Sequence, residues 1–142
     1  LPFALSDRLG IANLALGMSM AGGSQHVLDH GVSELRGDSG RQAAISCSMD
    51  WLVEMLDIPK PTDIKIDVDG TEMLVVEGAG TVLGDPGLRS VLIEIDTRIE
   101  GYEAIIRRFN DAGFQHDKDQ VAHSMRTEGP FTGCANFIFR RS

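Results

Sequence analysis

The sequence predicts an α/β fold, with a mostly parallel sheet, helices between its strands, and an antiparallel last strand. Three observations predict it. From residue 42 onward, short apolar runs of strand length alternate with stretches whose apolar residues recur at helical spacing. The run Ser90-Val91-Leu92-Ile93-Glu94-Ile95-Asp96 is apolar on both faces until its end, as a central parallel strand requires. Gly, Pro and Asp cluster at the junctions between these segments.

The first forty residues are weakly periodic. Ala21-Gly22-Gly23-Ser24 and Arg36-Gly37-Asp38-Ser39-Gly40 read as loops, with short strands expected at 11–16 and 26–29. A strand follows over 42–47. Ser48 stands as N-cap to a helix carrying Asp50 in its first turn and Trp51, Leu52, Met55 and Leu56 on its apolar stripe. Pro59 and Pro61 stop that helix. The next strand covers 62–68. Asp69-Gly70-Thr71 then turns into a second helix with Val75, Val76, Ala79, Val82 and Leu83 on one stripe and Glu72 complementing its dipole. After the strand at 90–96, Tyr102, Ile105, Ile106 and Phe109 mark a third helix, closed by Gly113. The last strand, 135–140, is reached by a loop with no helix and pairs with a strand near 114–116. The organisation expected is one domain: a loop-rich strand region over 1–41 and a βαβα core over 42–142.

Sixteen glycines fall at turn-like places, and the charged and apolar fractions suit a folded chain. A net charge of −8 repels phosphate backbones and anionic lipid, which argues against nucleic acid and membrane surfaces as partners. No apolar run reaches bilayer length, and Leu1-Pro2-Phe3-Ala4 lacks the form of a signal peptide. Cys47 and Cys134 have no CxxC partner and read as buried free thiols in a reducing compartment, so a cytoplasmic location is expected.

Ionisable residues inside parallel strands are costly unless paired or functional. Lys65 and Asp67 lie two apart, on one face of one strand; Glu94 and Asp96 close the next strand in the same way. In open α/β sheets ligands bind beyond the carboxyl ends of the strands, where Asp67, Asp69, Glu94 and Asp96 all fall. Individually each has a structural explanation, such as a Lys65–Asp67 ion pair or Asp69 as a helix cap. Together they read as a functional rim. The segment starting at Asp67 is no calcium loop: Gly70 comes at position 4 where position 6 is needed, and Gly78 occupies position 12. His26 and His30 have i, i+4 spacing but no supporting ligand, so no metal site is expected from spacing.

The stretch Asp63-Ile64-Lys65-Ile66-Asp67-Val68-Asp69-Gly70-Thr71-Glu72, followed by Val75-Val76-Glu77-Gly78-Ala79, resembles the FkbM-type methyltransferases, whose strand reads roughly iKiDvEG-x-E. Asp69 replaces their more usual Glu. Ala4-Leu5-Ser6-Asp7 with Gly10, Gly22-Gly23-Ser24, Ser48-Met49-Asp50-Trp51-Leu52, Leu92-Ile93-Glu94-Ile95, Ala112-Gly113-Phe114 and Asn136-Phe137-Ile138-Phe139 are similar to further family segments, in order. The resemblance implies a Rossmann-like, seven-stranded fold and methyl transfer from S-adenosylmethionine to an oxygen of a sugar or small natural product. It implies that Leu5, Ser6 and Asp7 border the adenine pocket, and that Asp67 and Asp69 line the transfer site; Glu94 of the rim is the third catalytic candidate. Asp67 is the expected base or metal ligand. Whether a divalent metal is needed stays open, with Asp67 and Glu94 the pair for a hard cation. The family's first strand and its D-x-G-A-n-x-G loop do not occur in the chain, which is expected to be the carboxyl-terminal part of such a domain. Cofactor binding by this part alone is then in doubt. The alternative is a non-catalytic module that binds its missing half or a second copy through an open sheet edge.

Overall fold

The computed structural model describes residues 3–16, 26–29 and 41–141. The loops expected at 21–24 and 36–40, and His30, lie outside them. The fold is α/β with mixed sheets, and the chain divides into two compact units: Leu1–Ile58 with Val68–Ala79, and Pro59–Asp67 with Gly80–Ser142. The single mostly parallel sheet expected from the sequence is replaced by two four-stranded sheets.

The first unit holds β1 (Phe3–Leu5), β2 (Gly10–Leu16), β3 (His26–Asp29) and β4 (Arg41–Cys47), in the order β1-β4-β2-β3. β1 runs parallel to β4, while β2 is antiparallel to both of its neighbours. Helix α1 (Met49–Met55) starts where expected, the Ser48 hydroxyl accepting the Trp51 N–H at 3.1 Å. Its expected stripe is only partly buried, since Met55 and Leu56 are exposed. Helix α2 (Glu72–Glu77) ends at Gly78. The expected continuous helix is therefore broken, and α3 (Gly80–Leu83) belongs to the second unit. Val75, Val76 and Ala79 of the first unit and Val82 and Leu83 of the second are all buried. Gly78, where α2 stops, has no room for a side chain. A Cβ there would lie 2.0 Å from the Ser6 carbonyl oxygen, and its own carbonyl accepts the Asp50 N–H at 3.0 Å. Close backbone approach is the reason for a glycine here.

The second unit holds β5 (Asp63–Ile66), β6 (Ser90–Asp96), β7 (Phe114–His116) and β8 (Cys134–Arg141), in the order β5-β6-β8-β7. β5 and β6 are parallel neighbours; β8 lies antiparallel between β6 and β7, as expected for the last strand. β5, expected as a buried parallel strand, is an edge strand among the described residues, with Asp63 and Lys65 exposed. The core forms on one face, where Val91, Ile93 and Ile95 of β6 meet Phe137 and Phe139 of β8. On α4 (Glu103–Asp111), Phe109 stacks on Phe139 at 4.2 Å and meets Phe114 edge-on. Arg141 closes the last turns of two helices. Its guanidinium donates to the carbonyls of Leu83, Asp85, Leu88 and Ala112 and lies 4.3 Å over the Phe114 ring.

A helix, α5 (Lys118–Ser124), stands where the sequence suggested a bare loop before the last strand. Its polar composition carries no apolar stripe to reveal it, but Asp117 caps it by accepting the N–H groups of Asp119 and Gln120. The Arg141 N–H donates to the Arg89 carbonyl at 3.0 Å, which fixes the alternation along the β6–β8 ladder. Asn136 and Ile138 therefore point their backbone groups away from β6, beyond the reach of the three-residue β7. Gln120 and Ser124 of α5 satisfy them. Gln120 accepts the Ile138 N–H and donates to the Asn136 carbonyl, while the Ser124 hydroxyl bonds both backbone groups of Asn136.

Candidate active site

β5 and β6 are hydrogen-bonded parallel neighbours, with Ile66 opposite Ile93. The next residues are Asp67, just past the end of β5, and Glu94, still within β6. On β6 the alternate residues Val91, Ile93 and Ile95 are buried in the core, so Leu92, Glu94 and Asp96 face the other way, half-buried. The sequence expectation of acids at the carboxyl ends of two adjacent strands is met for these residues.

Each acid has a cation at 2.7 Å. Asp67 pairs with Lys65, Glu94 with Arg126, and Asp96 with Arg98. They differ in access: the Asp67 side chain is 60% exposed, Glu94 26% and Asp96 21%. Asp96 is the most firmly held. Arg98 donates Nε and Nη2 to its two oxygens and its backbone N–H to Oδ1, which pulls the carboxyl down to about 2. It is a fixed charge and a weak base. Asp67, open to solvent, is the carboxylate that a solute reaches most readily.

The two arginines were not foreseen. Arg98 was within reach of the sequence, two residues past Asp96 at the strand end, a spacing that suits a tight turn. Gly133 makes room for it: at φ +88°, a Cβ there would meet Arg98 Cγ and Cδ at 2.8 Å. Arg126, 32 residues from Glu94, left no local signal. Backbone bonds from Arg126 to the Cys134 carbonyl and from Gly133 to the Arg126 carbonyl tie it to the start of β8, and its guanidinium lies 5.2 Å over the Phe131 ring. Cys134 is buried and free, its thiol pushed up by burial and by the nearby Asp96 and Glu94 charges; Cys47 is likewise buried and free.

Asp69 belongs to the first unit and is exposed. In the turn after it, Gly70 adopts φ +84° and donates its N–H to Glu72 Oε1 at 2.9 Å. Glu72 thus closes the helix start, where the Thr71 side chain makes no capping bond.

Of the residues that the resemblance assigns to the adenine pocket, Leu5 and Asp7 keep partly exposed surface at the end of β1. Ser6 does not fit that role. It is fully buried, its N–H bonded to the Cys47 carbonyl and its hydroxyl to Asp7, and its carbonyl faces Gly78. Its part is structural, joining β1 to β4 and α2. A cavity of about 260 Å³ lies elsewhere in the second unit, lined by Gly80, Leu83, Gly84, Arg108, Asp111 and Ala112, and none of the candidate acids borders it. Among the described residues no group of three or more His, Cys, Asp or Glu could hold a metal ion, and no helix is long and apolar enough to cross a membrane. The chain matches no family model, no curated protein and no solved structure.

Proposed function

We propose that this chain is the acceptor-side part of a Rossmann-like, S-adenosylmethionine-dependent methyltransferase acting on an oxygen of a sugar or small natural product. The observation that carries the reading is the parallel register of β5 on β6, which brings Asp67 and Glu94 to the carboxyl ends of adjacent strands. The antiparallel β8 supports it.

In this reading bound S-adenosylmethionine supplies an electrophilic methyl group. The chain's own work is to hold the acceptor and take its proton. Asp67 accepts the hydroxyl proton, with Lys65 holding the carboxylate in place. Glu94 and Asp96, fixed by Arg126 and Arg98, accept hydrogen bonds from neighbouring hydroxyls and orient the attacking oxygen.

The test is made on the chain extended by whatever segment its gene encodes upstream of Leu1. Calorimetric titration should show S-adenosylmethionine binding, and Asp67→Asn should leave that affinity unchanged while lowering methyl transfer by roughly 10²- to 10⁴-fold. Unchanged turnover in the variant removes Asp67 from the mechanism. A second reading, a module without catalysis, is favoured by the complete pairing of the three acids. It predicts no methyl transfer and no cofactor binding in the same experiment.

A further inference from the structure

The cavity beside α4 is walled by α3 with the glycine that follows it and by the end of α4, all within the second unit. Gly80, Leu83, Gly84 and Ala112 bring no polar side chain to it, while Arg108 brings a guanidinium and Asp111 a carboxylate. Arg141 fixes the two walls to one another. It donates to the Leu83 carbonyl at 2.7 Å and to the Ala112 carbonyl at 2.9 Å, so these carbonyls already have their donors.

Arg108 and Asp111 make no ion pair and no side-chain hydrogen bond among the described residues, whereas each acid of the rim has a cation of its own. They stand three apart on α4, with about 5–6 Å between Cβ atoms at that spacing. A base that precedes an acid along a helix is the weaker order for a pair, which fits their remaining apart. Two opposite charges thus stand unpaired on the wall of an otherwise apolar cavity.

A ligand that covers both must answer both, because a charge stripped of water without a counter-charge is costly. An anion answers Arg108 and meets Asp111 as a like charge; a cation does the reverse. A molecule with both charges on neighbouring atoms and an apolar remainder suits the whole wall. Volume sets its size, since about 260 Å³ falls below the roughly 300–1,000 Å³ of drug-sized ligand sites. We propose that this cavity binds a free amino acid with an aliphatic side chain. Its carboxylate meets Arg108, its ammonium meets Asp111, and its side chain packs on Leu83 and Ala112. The inference is independent of the methyl-transfer reading, because none of the candidate acids borders the cavity.

Amide spectra of the isotope-labelled chain, titrated with leucine, test it. The expected result is saturable shifts at Leu83, Gly84, Asp111 and Ala112, with Glu94 and Asp96 unmoved. Isocaproate lacks the ammonium of leucine and isoamylamine lacks its carboxylate, and each should bind roughly tenfold or more weakly than leucine. Arg108→Gln should erase the advantage of leucine over isoamylamine, and Asp111→Asn its advantage over isocaproate. Both residues are exposed, so neither variant removes a buried contact. The proposal is overturned by a titration without saturable shifts at the cavity, by analogues that bind as tightly as leucine, or by variants that keep both preferences.

Discussion

At the scale of single residues, Asp96 couples the rim to stability. Its carboxyl is held at about 2 against an ordinary 3.8, first by the Arg98 side chain and then by the Arg98 N–H. A carboxyl lowered in the folded state stabilises the fold above its unfolded pKa, and that contribution is lost as pH falls through the folded value. For Asp96 the window runs from about 4 down to about 2. Urea midpoints measured between pH 6 and pH 2 should show Asp96→Asn destabilised at neutral pH, with the gap from the parent closing across that window. Parallel curves would show that Arg98 does not hold this charge in solution. The residue scale also shows why the acids near the ends of β5 and β6 and the Lys65 partner were readable in the sequence and Arg126 was not. Lys65 and Arg98 sit two residues from the acids they bind, whereas Arg126 reaches Glu94 only because β8 returns beside β6.

At the scale of elements, the sequence disclosed most of what rests on apolar periodicity. The strand at 90–96, the helix marked by Ile105 and Phe109, and the last strand all stand close to their expected bounds. Gly113, at φ +85°, closes α4 as expected. Elements held by hydrogen bonds alone were missed. α5 buries no residue, and its place is set by what β8 leaves unbonded. The need for a glycine at position 78 was hidden because it comes from the approach of the Ser6 carbonyl, a contact between residues 72 positions apart in sequence. The edge position of β5 was hidden because alternation in a sequence does not tell which strands lie beside it. The bonding role of α5 gives a direct expectation. Gln120→Ala with Ser124→Ala should speed amide exchange at Asn136 and Ile138 on the order of 10- to 100-fold, the scale of losing such bonds, while Val91 and Ile93 stay protected. Unchanged exchange would mean that water or another group serves the β8 edge equally well.

At the scale of the whole molecule, each sheet has three strands in one direction and one reversed: β2 in the first, β8 in the second. The reversed strands make most neighbouring pairs antiparallel, although most strands share a direction within each sheet. The molecule's charge of −8 is not concentrated on the rim, where three acids meet three cations. A rim so balanced attracts neither sign strongly and suits a neutral, hydroxyl-bearing acceptor in the proposed reaction.

That proposal depends on Asp67 and Glu94 acting on one acceptor, and a double-mutant cycle on methyl-transfer rate tests it most directly. Asp67→Asn, Glu94→Gln and the double variant are compared in the extended chain, with S-adenosylmethionine as donor. The double variant should lose markedly less than the product of the two single losses, because both carboxylates serve the same hydroxyl-bearing group. Losses that multiply, or rates that stay at the parent value, would contradict it.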